Sequence, residues 1–321
     1  MSNIDNYVLV VGSSNMDLNI YIERFPNPGE TITGGTFKQF LGGKGANQSV
    51  ASVRAGAKTI FIGKIGMDSF GDKMISQLSS EGVIMDHVIR DPREHSGVAF
   101  ILIDKNGENM ISVAPGANAK LMPEEIEKKH DLIEKASVIL VQMEIPVNTI
   151  ETIFKIASSG KSIKILNPAP LKQLPKKLFQ MIDILIPNEG ELLELNSLYG
   201  FKLKTDEKEK KLMEAAKNLS TLGINHVITT LGAKGALIYD KQRDEFIKIP
   251  SFKVKAVDTV GAGDCFNGVL ACKLSQGINV VNAVKYAIAA ASIAVTRKGA
   301  QASMPNSNEI EKKYEMFDEI I

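Results

Sequence analysis

SVILVQMEIPVNTIETIFKIASSGKSIKIL, residues 137–166, carries the pattern that decides the fold. Two short runs within it, SVILVQ (137–142) and SIKIL (162–166), are rich in β-branched residues and nearly uniform in apolar character, without the alternation of a strand that faces water on one side. Between them VNTIETIFKIASS (147–159) repeats its apolar positions at helical spacing. A strand buried on both faces, a helix and a second such strand form one crossover unit of a parallel sheet.

The same kind of run recurs outward in both directions, as YVLVVG (7–12), TIFIG (59–63), DILIP (183–187) and HVITT (226–230). Helical patterns lie between them in ANQSVASVRAG (46–56), PEEIEKKHDLIEKA (123–136) and EKEKKLMEAAKNLSTLG (207–223). The expected fold is therefore α/β, a single domain over 1–321 built on a central, mainly parallel sheet flanked by helices. Two stretches interrupt this rhythm, Leu18 to Phe40 and Val88 to Val113, and their alternation around the turn Lys105-Asn106-Gly107 predicts antiparallel strands. They form either a small β-sheet lid (about 18–40 and 88–113) or an edge extension of the main sheet. Lys202 to Lys211 reads as a solvated loop and helix start, and the tail from Asn308 as a surface helix.

The 321 residues carry 38 Lys and Arg against 37 Asp and Glu, a net charge of +1, and 44% are hydrophobic. That composition belongs to a globular protein without the basic excess of a nucleic-acid or membrane-surface binder, so no nucleic acid and no membrane is expected as a partner, and the partner is expected to be small. No apolar run is long enough to span a bilayer, and the longest, Tyr286 to Val295, reads as a buried helix. With no signal pattern at the start, the expected location is cytoplasmic. Cys265 and Cys272, seven apart on one helix, read as reduced core residues. His87, His95, His130 and His226 lack the spacing of a zinc site or a Ser/His/Asp triad.

The chemistry concentrates in VDTVGAGDCFNG (257–268), a strand end and glycine turn leading into a helix. Consecutive amides of Gly261, Ala262 and Gly263 at the positive end of that helix would make an anion cradle. Asp264 would repel an anion there, but it suits a base that takes a proton from an alcohol during phosphoryl transfer. The alternative is an N-cap aspartate, worth about 1 kcal/mol at any helix start. Gly45 follows Lys44 where a Walker loop needs Ser or Thr, and Phe266 breaks the dinucleotide fingerprint, which weakens a dehydrogenase reading. Asn15 and Asp17, with Gly42-Gly43-Lys44-Gly45-Ala46-Asn47, suit a polyhydroxylated ligand; an Asx turn at Asp17 and an N-cap at Asn47 are the alternatives. Asn188 and Glu191 in PNEGE read as holders of a hydrated Mg²⁺ or as an ordinary helix start, and TTLGAKG (229–235) as a nucleotide contact or a tight turn.

In this order, N-x-D, GGKGAN, N-x-x-E, T-x-G-x-x-G and DTVGAGD resemble the ribokinase-like family of carbohydrate and purine kinases, over almost the whole chain. GSSNMDL (12–18), PNPGETI (26–32), PGANAKL (115–121), LNPAP (166–170) and VTRKGAQASMP (295–305) carry the resemblance further. It implies a β-lid that closes over a sugar and pairs with a second subunit, giving a homodimer. It implies ATP-dependent phosphorylation of D-ribose at the 5-hydroxyl, with Asp264 as base and the amides of Ala262 and Gly263 holding the phosphoryl group. Asn15, Asp17, Gly43, Lys44, Asn47 and Glu144 would line the sugar pocket. Asn188 and Glu191 match the segment tied to Mg²⁺ and phosphate, while Thr230, Gly232, Gly235 and Gly263 match the ATP side. A monovalent cation, K⁺, would sit at Asp258, Val260, Ala294, Arg297, Gly299 and Ser303, mostly on backbone oxygen. Ile288 stands where relatives often carry Asn or His near the adenine. A deoxyribose or nucleoside kinase of the same family, and a catalytically silent sugar-binding sensor, are the competing readings.

Overall fold

A computed structural model describes residues 6–319. Its main sheet has eight strands, in spatial order Glu245–Ile249, Ala236–Asp240, His226–Thr230, Ile184–Leu185, Ile163–Asn167, Val138–Gln142, Val8–Val11 and Thr59–Ile62. The six from His226–Thr230 to Thr59–Ile62 are parallel, as the doubly buried runs require. Alternate residues of each central strand enter opposite cores. Val8, Val10 and Leu140 pack with the helices Lys44–Arg54, Ala262–Ser275 and Val280–Ala294, whereas Leu9, Val11 and Ile139 pack with Val147–Ala157 and Lys208–Ser220.

The edge hairpin Ala236–Asp240 and Glu245–Ile249 is antiparallel and was not anticipated. Its turn contains no glycine; Asp244 takes the positive φ, 51°, that such a turn needs. PEEIEKKHDLIEKA forms two short helices, Pro123–Glu127 and His130–Glu134, because Lys129 N–H turns back to Ile126 O (2.8 Å). Residues 250–260 hold no strand before the glycine turn, contrary to expectation: their link to the fold includes Val257 N–H to Val295 O at 2.7 Å. The tail does form a helix, Ser307–Glu315, capped by Asn306.

A separate four-stranded sheet projects from the main one, in the order Thr36–Gly42, Asn15–Tyr21, Gly97–Ile103, Asn109–Ala114. It is not an edge extension. Its outer pairs are antiparallel, but the central pair is parallel, which corrects the all-antiparallel expectation. The cause is the route of entry. Asn15–Tyr21 leaves the carboxyl end of Val8–Val11, and Gly97–Ile103 arrives through Lys64–Gly66 and Ile89–Asp91, a parallel pair that continues from Thr59–Ile62. Residues 88–96 therefore belong to this small pair and its exit rather than to the projecting sheet. Cys265 and Cys272 are buried and free on one helix, their thiols pushed up to about 12 by burial. Among the described residues no helix is long and apolar enough to cross a membrane.

Candidate active site

The helix Ala262–Ser275 starts at Gly261, whose φ of 76° and close approach to Ala300 favour glycine; a β-carbon there would lie 2.9 Å from the Ala300 Cα. Asp264 lies in the first turn of that helix and is buried. It is not the N-cap. Its carboxylate reaches across to the helix Lys44–Arg54, where Oδ2 accepts from Asn47 Nδ2 and Oδ1 from Gln48 Nε2, both at 2.9 Å. One amide of the expected cradle is turned inward: Ala262 N–H donates to Thr259 O at 3.2 Å.

The helix Lys44–Arg54 is seated on the first strand's exit by glycines. Gly43 has φ 88°, and a β-carbon at Gly45 would lie 2.7 Å from Ser13 N, so the helix start rests directly on backbone. Lys44 N–H donates to Glu144 Oε2 at 3.0 Å, and the same carboxylate oxygen accepts from Ser13 Oγ. Burial pulls the Lys44 ammonium down, but Asp264, Glu144 and Glu191 together hold it above its usual range. Asp17 lies within the strand Asn15–Tyr21, not in an Asx turn, and burial, then Glu144 and Asp264, push its carboxyl up to about 7. Asn15 Oδ1 accepts from Asn118 Nδ2 at 2.8 Å. Asn47 is not an N-cap: Gly43 holds that position, and Asn47 Oδ1 accepts from Gln301 Nε2 at 3.0 Å.

Lys44, Asn188, Glu191, Asp264 and Asn267 line a small polar cavity of about 160 Å³. It meets a larger, mostly apolar cleft of about 680 Å³ that includes Gly232, Gly235, Phe252 and Ile288, and Thr230 and Gly263 line both. The expected nucleotide-side residues thus gather around a cleft of the size and character of ligand pockets, with Asp264 beyond its end. Lys234 is exposed.

Asn188 and Glu191 form a reciprocal capping box, Asn188 Oδ1 accepting from Glu191 N at 2.9 Å and Glu191 Oε2 from Asn188 N at 2.8 Å. Burial raises the Glu191 carboxyl, against the Asn188 N–H and Lys44, which lower it. Among the described residues no group of three or more His, Cys, Asp or Glu is arranged to cage a metal. Asp258 ties two loops together, Oδ1 accepting from Val260 N at 3.0 Å and Oδ2 from Gly299 N at 2.9 Å. Ala294 O accepts from Arg297 N at 3.0 Å, Ser303 Oγ donates to Ala300 O at 2.8 Å, and the Arg297 guanidinium pairs with Glu309. Val260, Ala294, Arg297, Gly299 and Ser303 therefore lie in or beside the two segments that Asp258 joins.

The sequence reading missed Gln48, Asn118, Gln142, Asn167 and Gln301, all buried amides; Asn167 lines the polar cavity itself, and the others bond to Asn15, Asn47, Asp264 or Gln48. Gln48 was visible only as the residue after GGKGAN, and Gln301 as part of RKGAQ.

A parallel α/β sheet whose glycine-opened helix start carries a buried carboxylate, between a polar cavity and an apolar cleft, defines a small-molecule phosphotransferase. The sequence model of the pfkB family carbohydrate kinases matches residues 5–307, and the chain belongs to that family. The chain is 39% identical to the ribokinase of Haemophilus influenzae, with 94% of this chain and 95% of that protein covered. It is 37% identical to the deoxyribokinase of Salmonella typhi, with 93% and 95% covered. Against a bifunctional ribokinase/ribose-5-phosphate isomerase A of Fructilactobacillus sanfranciscensis it is 38% identical over 94% of its own length, and it spans 55% of that protein. The structure of Arabidopsis thaliana ribokinase complexed with ribose and ATP superposes with a TM-score of 0.89 at 32% identity, covering 97% of this chain and 99% of the other.

Proposed function

We propose that the protein transfers the γ-phosphoryl group of ATP to the 5-hydroxyl of D-ribose, giving ribose 5-phosphate, ADP and a proton, with Asp264 as the base. The observation that carries this reading is the place of Asp264, buried at a helix start where the polar cavity approaches the apolar cleft. The apolar cleft suits the nucleoside of ATP, with Thr230, Gly232, Gly235 and Gly263 beside its phosphates. Of the residues assigned to the sugar, Lys44 lines the polar cavity, while Asn15, Asp17, Gly43, Asn47 and Glu144 lie outside it around the start of the helix Lys44–Arg54 and the strand Asn15–Tyr21, and together they offer the paired donors and acceptors that a sugar's hydroxyls need. Asp264 takes the hydroxyl proton as the oxygen attacks in line. The amides of Gly261 and Gly263, joined by that of Ala262 once it leaves Thr259, receive the charge of the transferring group, so positioning and electrostatics supply the acceleration.

Asn188, Glu191 and Asn267, whose Oδ1 is buried without a partner, fit a hydrated Mg²⁺ held through its waters rather than a bare ion. When bound, Mg²⁺ would offset phosphate charge. The loops joined by Asp258 fit a monovalent cation such as K⁺, held by backbone oxygens among Val260, Ala294, Arg297 and Gly299, with Ser303 beside them. The projecting sheet serves as the lid over the sugar. It exposes Phe37, Phe100, Met110, Ile111 and Val113, each more than half accessible, and a second copy of the chain is the partner proposed to cover them. The reaction needs ATP, and the proposed place of action is the cytoplasm.

The ribokinase and deoxyribokinase relatives match almost equally, at 39% and 37% identity, so 2-deoxyribose is the acceptor to set against ribose. Coupled ATP turnover with D-ribose, 2-deoxyribose, fructose and adenosine, each with and without K⁺, tests the proposal. Ribose-selective turnover raised by K⁺ supports it; preference for 2-deoxyribose or adenosine replaces the substrate, and no turnover with any acceptor favours a silent sensor.

A further inference from the structure

Two side-chain amides, those of Asn47 and Gln48, donate to the carboxylate of Asp264, and two more, those of Gln142 and Asn167, hold Gln48 in turn. Gln48 uses every polar atom it has: Nε2 donates to Asp264 Oδ1 at 2.9 Å and to Asn167 Oδ1 at 3.2 Å, while Oε1 accepts from Gln142 Nε2 at 2.7 Å. Asn167 is fixed in turn, its Nδ2 donating to Ile186 O at 3.0 Å. Gln48 and Gln142 are fully buried. With one amide group satisfied at both ends, turning it over would set its oxygen against both the Asp264 carboxylate and Asn167 Oδ1, and its NH2 against that of Gln142, so a single orientation survives.

We propose that Gln48 is a positioning residue for the base, and that Gln142 and Asn167 fix which of its amide atoms faces Asp264. The inference rests on Asp264 being the base. A buried carboxylate gains a proton more readily when it loses donors to its charged form, and a protonated base cannot accept the proton of a sugar hydroxyl. Gln48 donates to Oδ1 and Asn47 to Oδ2, which together set the plane of the carboxylate and leave its remaining lone pairs for the hydroxyl. Asp17, Lys44 and the Cys265 thiol interact electrostatically with Asp264, and none of the three is a hydrogen-bond partner of the Gln48 side chain.

Gln48→Met keeps length and volume while removing the donor. In it kcat with sugar and ATP is expected to fall by roughly tenfold or more, and the acidic limb of the kcat profile to move up by about one pH unit, with the KM for ATP near that of the parent protein. Gln142→Met leaves Gln48 in place but removes the donor that anchors its Oε1, loosening the hold on Asp264, and is expected to shift the same limb by a smaller amount in the same direction. A purely structural role would lower the melting temperature without moving the limb. If Gln48→Met does not fold, Gln142→Met decides. A folded variant with unshifted limb and kcat within about twofold of the parent overturns the proposal. Asp264→Asn is run in parallel: if it keeps near-parental turnover the base assignment itself fails, whereas its loss together with an unaffected Gln48→Met sinks the positioning role alone.

Discussion

Gly42 faces Asp17 so closely that a β-carbon at position 42 would lie 2.2 Å from Asp17 Oδ2 and 2.5 Å from Oδ1. The two residues sit on neighbouring antiparallel strands, Asp17 paired with Phe40 and Gly42 with Asn15. The contacting atoms are the end of a short side chain, so an added methyl would rotate the carboxylate away rather than break the sheet. Gly42→Ala is therefore expected to raise the sugar KM by about tenfold or more, the cost of losing a charged hydrogen-bond partner, with little change in the KM for ATP. Parallel KM titrations of the two substrates check this; an unchanged sugar KM would remove Asp17 from the sugar pocket.

Asp17 also carries a pH dependence with two opposite consequences. Its folded-state carboxyl titrates near 7 against 3.8 in the unfolded chain, so between those values the folded protein holds the extra proton and stability falls as pH rises. Sugar binding runs the other way, since the anion is the better acceptor: the sugar KM is expected to rise as pH drops below about 7. Asp17→Asn should abolish that rise and weaken sugar binding. At pH 8 it should also melt higher than the parent by roughly 2–4 °C, equivalent to about 1 kcal/mol. Thermal scans at pH 5 and pH 8 decide it, because the gain should be confined to the higher pH.

How much of this was legible in the sequence follows from which forces act locally. The six parallel strands could be read because burial on both faces leaves a uniform apolar run, whereas the hairpin after Thr230 escaped because its turn rests on Asp244 instead of a glycine pair. Asp264 was legible from its glycine turn. Gln48 was not, since its contact with Asp264 depends on two helices packing at Gly268, where a β-carbon would lie 2.3 Å from Gln48 O. That packing joins positions 220 apart in the chain, and no local pattern announces it. Asn188 and Glu191 show the reverse case, a motif whose simplest local reading, a helix cap, is the geometry adopted.

The projecting sheet is a single layer with apolar side chains open on both faces. Ile111 lies beside Ile101 across one strand pair, and Phe100 beside Ser112 toward the other face. Such a surface stays soluble by pairing with something apolar. Sedimentation equilibrium of the purified chain is expected to give a dimer, and Ile111→Glu, which would bury a charge in that interface, a monomer at the same concentration. A monomeric parent protein would discard the second copy as the covering partner.

The sharpest prediction concerns Asp264 itself. Asparagine has nearly the same shape and can still accept through one oxygen, so the packing against Asn47 and Gln48 changes little beyond one donor facing another. What it cannot do is take a proton. Asp264→Asn is expected to lower kcat by at least ~100-fold, the scale of general-base assistance, while the apolar cleft, which Asp264 does not line, keeps its affinity for ATP. Stopped turnover with an intact ATP binding isotherm is the expected pair of results. Because the hydroxyl and not water is the intended acceptor, ATP hydrolysis without sugar should be slow in the parent protein and slower in the variant. A fast hydrolysis that ignores both sugar and the Asp264 substitution would mean that the proton is removed by another group.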